Sequence, residues 1–188
     1  MQRKLLIVAC LMSTALIAFG QKKKKDKATE QSAVETTADT AKINYKEIGA
    51  PMPPLKVQVV KGKTVTKQIV TGKDLSNKAN LFVLMFNPTC EHCQDATMML
   101  ERNLFLFKKS QLLLMAVGTM EAYMEFFDSV TKVSQYPSIK VGLDQSQFID
   151  KTFTYQMLPQ INIYDKDRKL IKIFTGDTPI DSLKPYIE

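Results

Sequence analysis

Two short stretches, Leu55 to Val60 and Thr64 to Val70, alternate apolar and polar residues on either side of Lys61-Gly62-Lys63. That is the pattern of two half-buried strands joined by a tight turn. Leu81-Phe-Val-Leu-Met-Phe86 is apolar throughout, which predicts an inner strand covered on both faces. The period then changes. Cys93, Ala96, Leu100, Leu104 and Phe107 recur in steps of three and four, predicting a helix of about 17 residues that lays one stripe on the sheet. A strand over Leu112 to Val117 follows, then a second helix marked by Met120, Tyr123, Met124, Phe127 and Val130, and a short strand over Ile139 to Val141. Asp144 with Gln147 resembles a capping box opening a short helix through Phe148 and Ile149. Two strands, Ile161 to Tyr164 and Leu170 to Phe174, flank the polar Asp165-Lys-Asp-Arg-Lys169, and Thr178-Pro179 is read as the cap and first-turn proline of a terminal helix.

The first 43 residues follow neither period. A basic start (Arg3, Lys4), an apolar run from Leu5 to Phe19 and the small residues of Ala18-Phe19-Gly20 predict an export signal over 1–20, cut before Gln21. A retained membrane anchor is the competing reading, but the run is shorter than the about 20 residues that span a bilayer, and Lys22 to Lys25 follow on the exported side, against the positive-inside bias. Ile7-Val-Ala-Cys10 looks like a lipoprotein box, yet the apolar run continues past Cys10, so lipidation is a minor alternative. Residues 21–43 hold almost no large apolar side chains and are read as a disordered, Lys-rich tether. Residues 44–188 then form one domain with a real core, without internal repeats.

Charge adds little. The formal net charge of +7 falls to +5 once Arg3 and Lys4 leave with the signal. The remaining bases are scattered, without the interleaved aromatics of a nucleic-acid groove.

Cysteine usage changes the picture more. With Cys10 in the signal, the mature chain owns two thiols, Cys90 and Cys93, separated by Glu91 and His92 at the predicted start of a helix. A thiol there meets the positive end of the helix dipole and unpaired N–H groups, which favour thiolate. Protonated His92 pushes the same way and Glu91 opposes it, while Cys93, on the buried stripe, is the protected partner. Attack by Cys90 on an exposed disulfide and release by Cys93 is the exchange such a pair permits.

Strand, C-x-x-C at a helix start, a further βα unit, and a proline ahead of a closing hairpin resembles the thioredoxin-like fold. The resemblance rests on Phe86-Asn-Pro-Thr-Cys-Glu-His-Cys93 and Tyr155-Gln-Met-Leu-Pro-Gln-Ile-Asn-Ile-Tyr164, and covers residues 50 to 188. With the opening hairpin and the added strand and helix before Pro159, the chain is most similar to exported TlpA-like thiol-disulfide oxidoreductases. That resemblance implies an α/β fold, a three-layer α/β/α arrangement with a central mixed sheet and an N-terminal β-hairpin. It further implies that Cys90 attacks, that Cys93 resolves, that Pro159 is in cis and faces the cysteines, and that the backbone of Leu158 pairs with substrate.

The chain departs from the family pattern at several positions. Thr89 stands where an aromatic usually precedes the first cysteine, Leu84 replaces a buried acid or Asn, and Ala96 and Met98 stand where an acid and a proline often follow. Without that acid, deprotonation of Cys93 falls to water or Glu91. Thr89, Glu91 and His92 are therefore the residues expected to tune the site. His92 in this place also resembles strongly oxidising members, so the direction of electron flow stays open between reductant and oxidant or isomerase.

Other chemistry is disfavoured by the residues themselves. Zinc needs about four ligands, and Cys90, His92 and Cys93 are too close in sequence to complete a tetrahedron, so no metal is expected. Haem attachment wants histidine after the second cysteine, where Gln94 stands. Pro88 and Thr89 are too close to Cys90 for a peroxiredoxin. The expected protein is an exported, periplasmic thiol-disulfide oxidoreductase without a diffusible cofactor. Its partners are disulfide- or thiol-bearing exported proteins and a membrane electron donor, and its oligomeric state is left open. A redox-inactive, peptide-binding module of the same fold is the alternative.

Overall fold

A computed structural model describes residues 43–76, 78–153 and 157–187. The predicted signal (1–20) and all but the last residue of the predicted tether (21–43) lie outside them. Seven strands form one mixed sheet in the order β2-β1-β5-β4-β3-β6-β7. They are β1 (Lys56–Lys61), β2 (Thr64–Thr71), β3 (Leu81–Phe86), β4 (Gln111–Val117), β5 (Ile139–Asp144), β6 (Gln160–Tyr164) and β7 (Leu170–Thr175). Strands β3, β4 and β5 are parallel, the β1–β2 hairpin adds antiparallel to β5, and the β6–β7 hairpin adds antiparallel to β3.

Side chains of β3 alternate between two cores, because successive residues of a strand point to opposite faces. Phe82, Leu84 and Phe86 join Cys93, Ala96, Leu100, Phe127 and Leu183 on one face. Leu81, Val83 and Met85 join Leu55, Leu75, Ile149, Phe153 and Tyr164 on the other. The first face carries the helices α1 (Glu91–Arg102), α2 (Met124–Thr131) and α3 (Ile180–Leu183). The second is thinner, covered by a single wide helical turn over Ile149–Phe153 and by loop segments.

Four elements differ in their bounds from the sequence reading. The first helix ends at Arg102 because Asn103 leaves helical geometry (φ −109°, ψ 16°) and its Nδ2 donates to the Met99 carbonyl at 2.8 Å. A short Asn side chain competes for backbone groups in this way. Leu104–Phe107 continues as a tight turn that still buries Phe107, so the apolar spacing outlasts the helix. In the second helix the buried stripe is Met124, Phe127 and Thr131, whereas Tyr123 and Val130 are 48% and 38% exposed. Strand β5 runs on to Asp144 because it pairs on both sides, with β4 and β1. Glycine permits that approach at Gly142, where a Cβ would lie 2.5 Å from Val57 Cγ1 and 2.6 Å from the Gln58 carbonyl oxygen. In the last helix Pro179, extended at φ −69°, ψ 151°, occupies the cap position, and Thr178 Oγ1 donates to the Gly176 carbonyl instead.

Asp144 does cap, but not as a box with Gln147, whose φ of +58° takes it out of the helix. Its Oδ1 accepts from Ser146 N at 2.7 Å and its Oδ2 from Ile149 N at 2.9 Å. Asp144→Ala leaves both amides without that acceptor and lowers stability by about 1 to 2 kcal/mol. Urea denaturation checks it: equal midpoints for the variant and the parent would contradict the capping role.

Candidate active site

β3 delivers the chain to the carboxyl end of the parallel strands and Asn87 turns it. Asn87 Oδ1 accepts from Thr89 N and from Thr89 Oγ1, each at 2.9 Å, and its carbonyl accepts from Cys90 N at 3.1 Å. Gln94, buried on α1, donates from Nε2 to the Pro88 carbonyl at 2.9 Å and fixes this turn from below. Cys90 thereby becomes the cap residue of α1, extended at φ −84°, ψ 118°, and its carbonyl accepts from Cys93 N and Gln94 N at 3.1 Å. The first amides of a helix lack an intrahelical acceptor and aim at the cap residue, so this sulfur sits at the positive end of α1.

The two thiols have different surroundings. Cys90 is half-buried and Cys93 fully buried, and both are free thiols. Burial pushes the Cys93 thiol well above its ordinary range, and its hydrogen bond to the Cys90 sulfur acts in the same direction, with only the Asn87 backbone opposing. Cys93 therefore holds its proton and lends that S–H to Cys90.

Leu158 and Pro159 come to the same end of the sheet. Gln160 pairs with Met85, so the residue before it lies beside the strand end from which Cys90 emerges. The Leu158–Pro159 peptide is cis and Pro159 is buried. The Pro159 carbonyl accepts from Gly176 N at 2.8 Å, which ties in the β7–α3 loop. From that loop Asp177 Oδ1 meets His92 Nδ1 at 3.0 Å. Glu91 and Thr89 are exposed, Glu91 on the first turn of α1 and Thr89 on the turn before it.

Leu84, at the position noted for its missing acid, is buried among apolar side chains. A buried carboxyl does exist on the helix, at Glu101, which shares with Cys93 and Thr97 the stripe spaced by four residues. Two helical turns, about 12 Å at 1.5 Å per residue, keep it from taking the Cys93 proton directly. Sequence reasoning missed Asn87, Gln94, Glu101 and Asp177. Only Gln94 and Glu101 left a signal, as polar residues on or beside an apolar stripe. Among the described residues no group of three or more His, Cys, Asp and Glu side chains is placed to hold a metal ion.

No family model and no curated protein matches the chain. Solved structures do. The thioredoxin domain of a thiol-disulfide oxidoreductase from Bacteroides vulgatus superposes with a TM-score of 0.59 at 18% identity, covering 76% of this chain and 99% of that one. A putative protein disulfide isomerase from Bacteroides thetaiotaomicron gives 0.60 at 16% identity, over 76% of this chain and 89% of that one. StoA from Bacillus subtilis gives 0.53 at 13% identity, over 69% and 96%. At these identities the likeness is one of fold.

Proposed function

We infer that this chain, which has the thioredoxin fold, works as an exported thiol-disulfide oxidoreductase that reduces or exchanges disulfides in other exported proteins. The observation that carries this reading is the asymmetry of the pair. A half-buried sulfur at a helix start accepts a hydrogen bond from a buried thiol that keeps its proton.

In the proposed cycle Cys90 thiolate attacks one sulfur of a substrate disulfide. The substrate S–S bond breaks, a Cys90–substrate bond forms, and the first substrate sulfur leaves as thiolate and takes a proton. Cys93 then gives its proton to water or to the departing thiolate and attacks Cys90. The mixed disulfide breaks, Cys90 and Cys93 are joined, and two electrons have passed to the substrate, now a dithiol. Leu158 and Pro159 lie where an extended substrate would align, with the Leu158 backbone as its partner, while Thr89, Glu91 and His92 tune the half-buried Cys90 sulfur.

Export by the 1–20 signal places the domain in the periplasm. A membrane protein passing electrons across would restore the dithiol.

Equilibrating the full chain, with Cys10→Ser so that two thiols remain, in graded dithiothreitol and glutathione buffers gives its reduction potential. A value near about −270 mV is expected for a reductant and one near about −120 mV marks an oxidant, while a bond that stays oxidised below about −300 mV is a structural staple and sinks the reading.

A further inference from the structure

His92 lies between the two cysteines, on the first turn of α1, and is the chain's single histidine. Its Nδ1 is committed to Asp177 Oδ1 at 3.0 Å. The loop presenting that carboxylate is anchored on two sides. Gly176 N donates to the Pro159 carbonyl at 2.8 Å, and Gly176, at φ +70°, packs so closely on Met157 that a Cβ would lie 2.8 Å from its sulfur. Asp177 thus meets the imidazole from a fixed turn. Both residues line a groove of about 470 Å³ along with Ala96, Met99 and Arg102 of α1.

The charge balance at the dithiol gives this contact a consequence. The reduced pair carries the thiolate charge and the disulfide carries none, so a positive group near Cys90 stabilises the reduced state and makes the pair more oxidising. A free imidazolium two residues from Cys90 would act in that way. An imidazole held by the Asp177 carboxylate is drawn toward the loop that presents it. Asp95 and Arg102 share the groove, and Glu91 is the neighbour of His92 in sequence, so one acid and one base remain around the ion pair besides Glu91.

We propose that Asp177 is a positioning residue for the dithiol: by binding the His92 imidazole it withholds that ring from the Cys90 sulfur and keeps the pair more reducing. This rests on the oxidoreductase reading and adds what sets its poise.

The test is the equilibrium with glutathione in the Cys10→Ser chain, from about pH 5.5 to about pH 8.5, a range over which imidazoles change charge. Asp177→Ala is expected to shift the constant about threefold to fivefold toward the dithiol at the acid end, roughly 15 to 20 mV. The shift should shrink toward the alkaline end. Asp177→Asn, which keeps an acceptor for the ring N–H, should shift it less, and Asp177→Ala in a His92→Gln background should leave it unmoved. The same shift with and without His92, a shift independent of pH, or no shift at all overturns the proposal while leaving the enzyme reading intact. A parent pair that no buffer reduces overturns both. Both side chains are exposed, 66% for His92 and 72% for Asp177, so the variants report on poise and not on folding.

Discussion

Cys90→Ser is expected to abolish disulfide exchange, lowering insulin reduction by at least about a thousandfold, as removal of a covalent nucleophile does, while the fold keeps its stability. The reason lies in where Cys90 stands. It is half-buried and is the cap residue of α1, yet its side chain makes no capping hydrogen bond. Serine is among the favoured residues at that position and can supply the missing bond, so the melting midpoint should hold or rise by the equivalent of up to about 1 kcal/mol. Cys93→Ser separates the two half-reactions. Attack by Cys90 proceeds, resolution does not, and a mixed disulfide with substrate accumulates, visible as a mass adduct that dithiothreitol removes. A Cys90→Ser chain that loses stability but no exchange activity would make the bond a staple, and the oxidoreductase reading would go.

The second large effect lies at the far end of the same helix. Glu101 is 8% exposed, its Oε1 is buried without a hydrogen-bond partner, and burial raises its carboxyl from 4.5 to about 7, with Asp128 adding to the rise and Arg102 opposing it. The unfolded chain therefore loses this proton near the ordinary value while the folded chain retains it. Between the two values the native state binds more protons, so this group makes stability fall as pH rises, and the full penalty of about 3 kcal/mol is reached above the folded value. Glu101→Gln removes the ionisation. Relative to the parent, its stability is expected to climb across that window and then level off, whatever constant offset the buried amide adds. Urea titrations at about pH 4, 6 and 8 would show it. A difference that does not change with pH would mean the carboxylate reaches water and is not held neutral.

What the sequence made legible was what its own neighbours determine. The two-sided apolar run of β3, the hairpin of β1 and β2 around Gly62 and the position of Cys90 before a three-four period depend on local spacing, and they fold as that spacing demands, although the β1–β2 register slips between Gln58 and Val60 and leaves Ile69 exposed. Some departures came from contacts with distant partners and others from side chains competing for nearby backbone groups. Strand β5 extends to Asp144 because β1, more than eighty residues earlier, supplies hydrogen bonds to it. Asn103 ends a helix whose apolar spacing runs on to Phe107, because its side chain reaches back to Met99. At the site, the spacing of Cys90 and Cys93 was plain, but His92 meets Asp177 across 85 residues, and no local pattern marks that acid among the others. Gln94 and Glu101 were legible only as anomalies, since a polar residue on a buried stripe announces a constraint without naming it.

The unequal cover of the two sheet faces should also divide the molecule in time. Three helices seal the face that holds Cys93, while the other relies on the Ile149–Phe153 turn and on segments brought from Leu55 and Leu75. Native-state hydrogen exchange reports openings of the least-covered units first. The amides of the Ile149–Phe153 turn should therefore exchange through small local openings. Those of β3 and β4, shared by both faces, should wait for global unfolding. The root of the dithiol belongs to the slow set, so the cysteines would keep their geometry through fluctuations that repeatedly loosen the back of the domain.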